Sequence, residues 1–156
     1  MADTAEEVAF DQSIRAIDRQ QWSLDELRSR TGTLLAAAAI VASFLGAQAL
    51  RGSSVDALAV SALVAFGATV ALSLYVLRPL GGVWKFSLGA KTMLEDWADD
   101  PERTVADMHR FLAEMLEKHW DSNRKHLDRL YLVFCGAQLA LALEVVLWTL
   151  KLGGRG

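Results

Sequence analysis

The chain has a single cysteine, Cys135, set inside an apolar run, so no intrachain disulfide forms and no thiolate zinc cluster exists. An excess of positive charge is missing too. The 16 Lys and Arg are interleaved with 19 Asp and Glu, for a net charge of -3. That balance offers no basic field for nucleic acid. Signatures of catalysis are equally scarce: there is no Gly-rich phosphate loop, GxSxG elbow, HExxH pair or Ser/His/Asp arrangement. His109, His119 and His126 lack the further ligands a metal centre needs. The acid pairs Asp99/Asp100 and Glu114/Glu117 are accounted for by a helix cap and a solvated face. The expectation is a chain that is not an enzyme and carries no cofactor.

What the sequence does have is 53% hydrophobic residues beside 22% charged ones, and the two populations are segregated. Charges crowd into residues 1–30 and 78–129. Three runs, 33–50, 57–77 and 130–150, carry almost none. The shortest spans about 27 Å as a helix, enough to cross a bilayer. With no water in the hydrocarbon to satisfy peptide groups, such spans must be helical. The expected fold is therefore all-α and integral to a membrane. Residues 1–32 form a cytoplasmic amphipathic helix, and 33–50 and 57–78 the first two spans. Residues 79–129 form a cytoplasmic loop and long helix, 130–150 the third span, and 151–156 a short extracytoplasmic tail. Ala47-Gln48-Ala49 looks like a signal-peptidase site, but 32 residues including seven acids precede it, so the run reads as a retained anchor.

Orientation follows from Lys and Arg, which are retained in the cytoplasm. The N-terminal segment has four (Arg15, Arg19, Arg28, Arg30) and the segment between spans two and three has nine. Arg51, Lys151 and Arg155 alone fall on the other side. Thirteen against three places the N-terminus and residues 78–129 inside.

The charged segments read as helices. Phe10, Ile14, Ile17, Leu24 and Leu27 recur at helical spacing along residues 4–30, with Ser23 and Glu26 placed to cap a restart. Asp100 and Pro101 read as the N-cap and first position of a long helix that continues into the third span. Its stripe of Val105, Met108, Leu112 and Met115, widened by Phe111 and Leu116, is the candidate assembly face for a second copy or a partner protein. Trp84, Lys85 and Phe86 suggest an interfacial collar, Met93, Leu94 and Trp97 a short surface helix, and Gly81, Gly82 and Gly89 breaks.

Within the spans, Glu144 is the most unusual residue, since an ionisable group in lipid usually marks a bundle interior, a partner or a water path. Gln138 and Gln48 are the other candidate intramembrane polar groups. Small residues recur at intervals of four: Ala57, Ser61, Ala65, Thr69 and Ser73 on span two, Ala39, Ser43 and Ala47 on span one, Gly136 and Ala140 leading to Glu144 on span three. Such stripes let helices approach closely in lipid, so these are the expected packing faces, with Glu144 turned towards protein.

Glu26-Leu27-Arg28-Ser29-Arg30-Thr31-Gly32-Thr33-Leu34-Leu35 leads into a short first span, Leu77-Arg78-Pro79 closes the second, and a long helix enters the third. Over about residues 20–150 this layout resembles the membrane effectors of bacterial cyclic-nucleotide anti-phage (Pycsar) systems and the related SLATT domains. The resemblance implies a regulated, oligomerising protein of the bacterial inner membrane that perturbs the bilayer when a cytosolic signal arrives. The chain departs from those effectors in having no room for a fused cyclic-nucleotide-binding domain. A constitutive accessory subunit of a membrane complex, and a small ion or proton conductor using Glu144, are the alternatives.

Overall fold

A computed structural model describes residues 4–51, 55–79, 84–85 and 104–154. These form three helices, α1 (Ala5–Leu50), α2 (Ala57–Leu77) and α3 (Val105–Gly153), and no strand occurs among the described residues. All three are long and apolar enough to cross a membrane.

Each helix starts on a local hydrogen-bonding device. Thr4 Oγ1 accepts from Glu7 N (3.3 Å) at the head of α1. Asp56, in extended backbone, accepts from Ala59 N (3.0 Å) and caps α2. Thr104 and Asp107 form a reciprocal box: Thr104 Oγ1 accepts from Asp107 N (3.2 Å) and Asp107 Oδ2 accepts from Thr104 N (3.1 Å). The stops are as local. Arg78 donates its backbone N–H to Leu74 O (2.9 Å), then leaves helical geometry at ψ 139°, as a residue before Pro79 is biased to do.

α3 is described from Val105, where the Thr104–Asp107 box satisfies the first orphan N–H groups. One expectation about the helix ends needs correction. α1 does not restart at Ser23. Its hydroxyl donates back to Arg19 O (2.9 Å) instead of capping, so α1 continues from its charged half into its apolar half. Asp99, Asp100, Pro101, Gly81, Gly82, Gly89, Phe86, Met93, Leu94 and Trp97 lie outside the described residues.

The chain divides into two compact units, one of Met1–Asp25 and Leu80–Leu127, the other of Glu26–Pro79 and Asp128–Gly156. In the first, the opening parts of α1 and α3 lie side by side and parallel. Phe10 stacks on His109 (centroids 5.3 Å apart) and Gln20 Nε2 donates to Trp120 O (2.9 Å), so residue n of α1 is level with residue n+100 of α3. Ile17, Leu24, Leu112, Leu116 and Leu127 are buried in this unit, and Asp, Glu, Lys and Arg face outward.

In the second unit the rest of α1 and α3 pack with α2. Gly46 lies against Trp148, and Ala49, Ala59, Ala62 and Trp148 form its core cluster. Lys151 reaches Asp56 at the head of α2, and Leu72 near its end touches Gly136, so α2 runs antiparallel to α3. Buried positions hold mostly small or polar residues, while Ile40, Phe44, Val64, Leu132 and Leu139 point outward, Leu132 at 73% exposure.

Candidate functional site

The amphipathic first unit contains an open groove of about 540 Å³. It is lined by short side chains, Ala5, Ala9 and Ala16 of α1 and Ala113 of α3, together with the buried Leu116 and with Trp120. Two parallel helices that meet over alanines leave space that leucines would fill. Along the rim stand Glu6, Glu114, Glu117 and Arg110, the last within 3.4 Å of Glu114 on an exposed surface.

Close by, Asn123 is wholly buried and serves as a two-point clamp: its Nδ2 donates to Lys85 O (3.0 Å) and its Oδ1 accepts from Lys85 N (3.2 Å). Both backbone groups of residue 85 are thereby satisfied on α3. His126 packs against Trp84 at 6.1 Å. Burial, and after it the Lys85 ammonium, hold the His119 imidazole below the usual histidine range.

The assembly face expected on α3 is split by this packing. Leu112 is only 2% exposed, taken up within the unit along with Leu116; Met108 and Met115 are partly buried, and Val105 and Phe111 point outward. An amphipathic helix buries the centre of its stripe first and leaves the flanks. Leu112 is therefore not a free surface for another molecule.

In the apolar unit, Glu144 is buried to 0% exposure. The indole N–H of Trp148, one turn on, is its polar neighbour, yet neither carboxyl oxygen reaches hydrogen-bonding geometry with it or with any other described group. Gln138 and Gln48 are both exposed and belong to no common site with Glu144. At the end of this unit, Lys151 Nζ donates to Asp56 Oδ1 (2.7 Å), with the lysine buried and the aspartate half exposed. That hydrogen bond, and then the one from Ala59 N–H, hold the Asp56 carboxyl below the usual carboxylate range.

The small-residue stripes are only partly the packed faces. Ala65, Thr69 and Ser73 are buried, but Ala57 and Ser61 face outward, and Ala59 and Ala62 are buried in their place. An interval of four advances about 400° at 100° per residue, so a five-residue stripe drifts by about 160° around the helix. On α1, Ala39, Ser43 and Ala47 are exposed and Ala38, Gly46 and Ala49 buried. Trp148 selects that register: a Cβ at position 46 would sit 3.3 Å from its ring. On α3, Gly136 and Ala140 are partly buried, with Gly136 against Leu72.

Sequence reasoning missed the Asn123 clamp, the Lys151–Asp56 tie and the groove. The tie joins residues 95 apart, a pairing no local pattern announces. The groove had a signal, in Ala5, Ala9 and Ala16 on one side of an otherwise leucine- and isoleucine-bearing helix. No protein-family model matches the chain, and neither a curated protein nor a solved structure matches it.

Proposed function

We propose that the chain is a non-enzymatic, oligomerising membrane effector with three spans in a bacterial inner membrane. In this reading the N-terminus and residues 79–129 are cytoplasmic and the tail extracytoplasmic. A cytosolic signal makes the spans rearrange and perturb the bilayer, as the resemblance to the anti-phage effectors implies. The distribution of Lys and Arg supports the orientation, and the outward-facing Ile40, Phe44, Val64, Leu132 and Leu139 support contact with lipid.

The observation that carries the reading is Glu144. A carboxylate at the centre of a span costs about 2.5–3.5 kcal/mol even on insertion-based scales, and less at the depth of Glu144, about 10 Å from the Lys151 end of its helix. Among the described residues only the nearby Trp148 indole N–H is placed to offset that cost, and neither Glu144 oxygen reaches hydrogen-bonding geometry with it. A rearrangement that brings Glu144 to water or to a donor on a neighbouring chain lowers the free energy, so the resting bundle is biased towards change. Its test compares wild type with Glu144→Leu, overexpressed in a bacterial host and reconstituted in dye-loaded vesicles. Wild type should arrest growth and leak dye, and Glu144→Leu should resist denaturation better and leak little. Wild-type protein that neither leaks dye nor slows growth at any expression level would end the effector reading.

A constitutive subunit of a membrane complex is the second reading, favoured by the burial of Leu112 and Leu116 within the chain. Co-purification with a stoichiometric second protein, without leakage, would move it to first place. A conductor would instead show a current lost in Glu144→Ala while vesicles keep their dye.

A further inference from the structure

We propose that the groove of the amphipathic unit receives α1 of a second copy of this chain, so that copies associate head to tail. The inference rests on the reading that the protein self-assembles, and it names the two surfaces that meet. One is the groove, with Arg110, Glu114 and Glu117 along its α3 rim. At about 100° per residue these three fall within about 60° of one another. The other is the outer face of α1, where Val8, Arg15, Arg19 and Trp22 fall within a similar arc, with Asp11 beside them. All five are exposed, Trp22 at 69%.

Height decides the match. Copies tethered in one membrane in one orientation present this unit parallel and at a common level. Since residue n of α1 is level with residue n+100 of α3, Asp11 of one copy comes level with Arg110 of the next. Arg15 comes level with Glu114, and Arg19 with Glu117, each within about 3 Å along the axis at 1.5 Å per residue. Charges of opposite sign therefore face each other at all three levels. Between them the alanines that line the groove accept the closely approaching helix, and Trp22 reaches the groove end at Trp120, an anchor of the type that dominates interfaces.

Trp22 has little use as a membrane anchor. Thr33 lies eleven helical steps further on, about 16 Å, which exceeds the roughly 5–8 Å of headgroup region on each side of the hydrocarbon. The groove and the outer face lie on different flanks of α1, about 80° apart at 100° per residue. Each copy thus offers one of each, and the contact is heterologous, closing into a ring when its rotation permits.

The test is a charge exchange in the full chain, in detergent micelles and nanodiscs, read by size exclusion with light scattering and by circular dichroism. Arg15→Glu with Arg19→Glu, and separately Glu114→Lys with Glu117→Lys, should each weaken association roughly ten- to hundredfold with helix content unchanged. Combining all four should restore the oligomer. A wild-type monomer, an oligomer indifferent to both pairs, or failure of the combination to restore it would each overturn the proposal. So would capture of a different basic protein by the groove of monomeric wild type. Dye release on the same samples keeps the two readings apart. Charge-rescued assembly without leakage removes the effector reading and keeps the docking, whereas leakage from an oligomer indifferent to charge does the reverse.

Discussion

Along one helix, α1, Ile17 and Leu24 are buried while Asp18 and Arg19 face out; further on, Ala38, Gly46 and Ala49 are buried while Ile40 and Phe44 face out. α3 repeats the reversal, with Leu112, Leu116 and Leu127 inside its charged half and Leu132, Leu139 and Val146 outside its apolar half. The amphipathic unit follows the rule for water, where removing large apolar side chains from solvent drives pairing. The apolar unit shows the pattern expected of helices in lipid, where large side chains gain nothing by turning inward and association depends on close approach and fit. The same two helices carry both patterns, so each stretch, and not the helix as a whole, decides which side chains are core.

The comparison can be broken or sharpened by substitution. Trp148→Ala should have the largest effect, about 3–5 kcal/mol, because it empties the core cluster of the apolar unit and small neighbours cannot collapse onto the space. Chemical denaturation in detergent, followed by circular dichroism, measures it; a loss under 1 kcal/mol would mean that the indole is not the keystone of this packing. Leu112→Ala should cost roughly 3 kcal/mol in the amphipathic unit, read as faster amide exchange over its residues with the apolar unit unaffected.

A matched pair tests close approach directly. Gly46→Ala gains helix propensity but drives a methyl into the Trp148 ring, for a net cost of about 1 kcal/mol. Gly32→Ala meets nothing within 4 Å and should stabilise by about 0.5–1 kcal/mol. Equal effects at the two sites would contradict the assigned interface.

The smallest expected effects depend on pH. Because folding holds His119 below its ordinary value, the unfolded chain binds the proton more readily. Stability is then fully present above about pH 6.5, falls as pH drops through that value, and levels off below the lowered folded value. Amide protection near Asn123 and Lys85, corrected for the intrinsic slowing of exchange with falling pH, should decrease on mild acidification, and His119→Gln should abolish the dependence. Asp56 has a window of the same sign at lower pH. Its lowered carboxyl contributes stability above the ordinary carboxylate range and loses it only as pH falls through the lowered folded value, so the head of α2 should remain capped while the amphipathic unit loosens.

Composition and periodicity alone determined the three long helices, their approximate limits and the division into charged and apolar stretches, because these depend on local hydrogen bonding and on the length of uninterrupted apolar sequence. Tertiary structure alone decided the register within the apolar unit. A run such as Ala36-Ala37-Ala38-Ala39 offers nearly equivalent faces, and only the Trp148 ring, more than 100 residues away in sequence, selects Ala38 and Gly46 over Ala39 and Ser43. The groove was decided in the same way. Ala5, Ala9 and Ala113 each look unremarkable by themselves, and the space they leave exists only once α1 and α3 lie side by side at an offset of 100 residues. Local physics sets what each helix is, and long-range shape complementarity sets which of its faces is used.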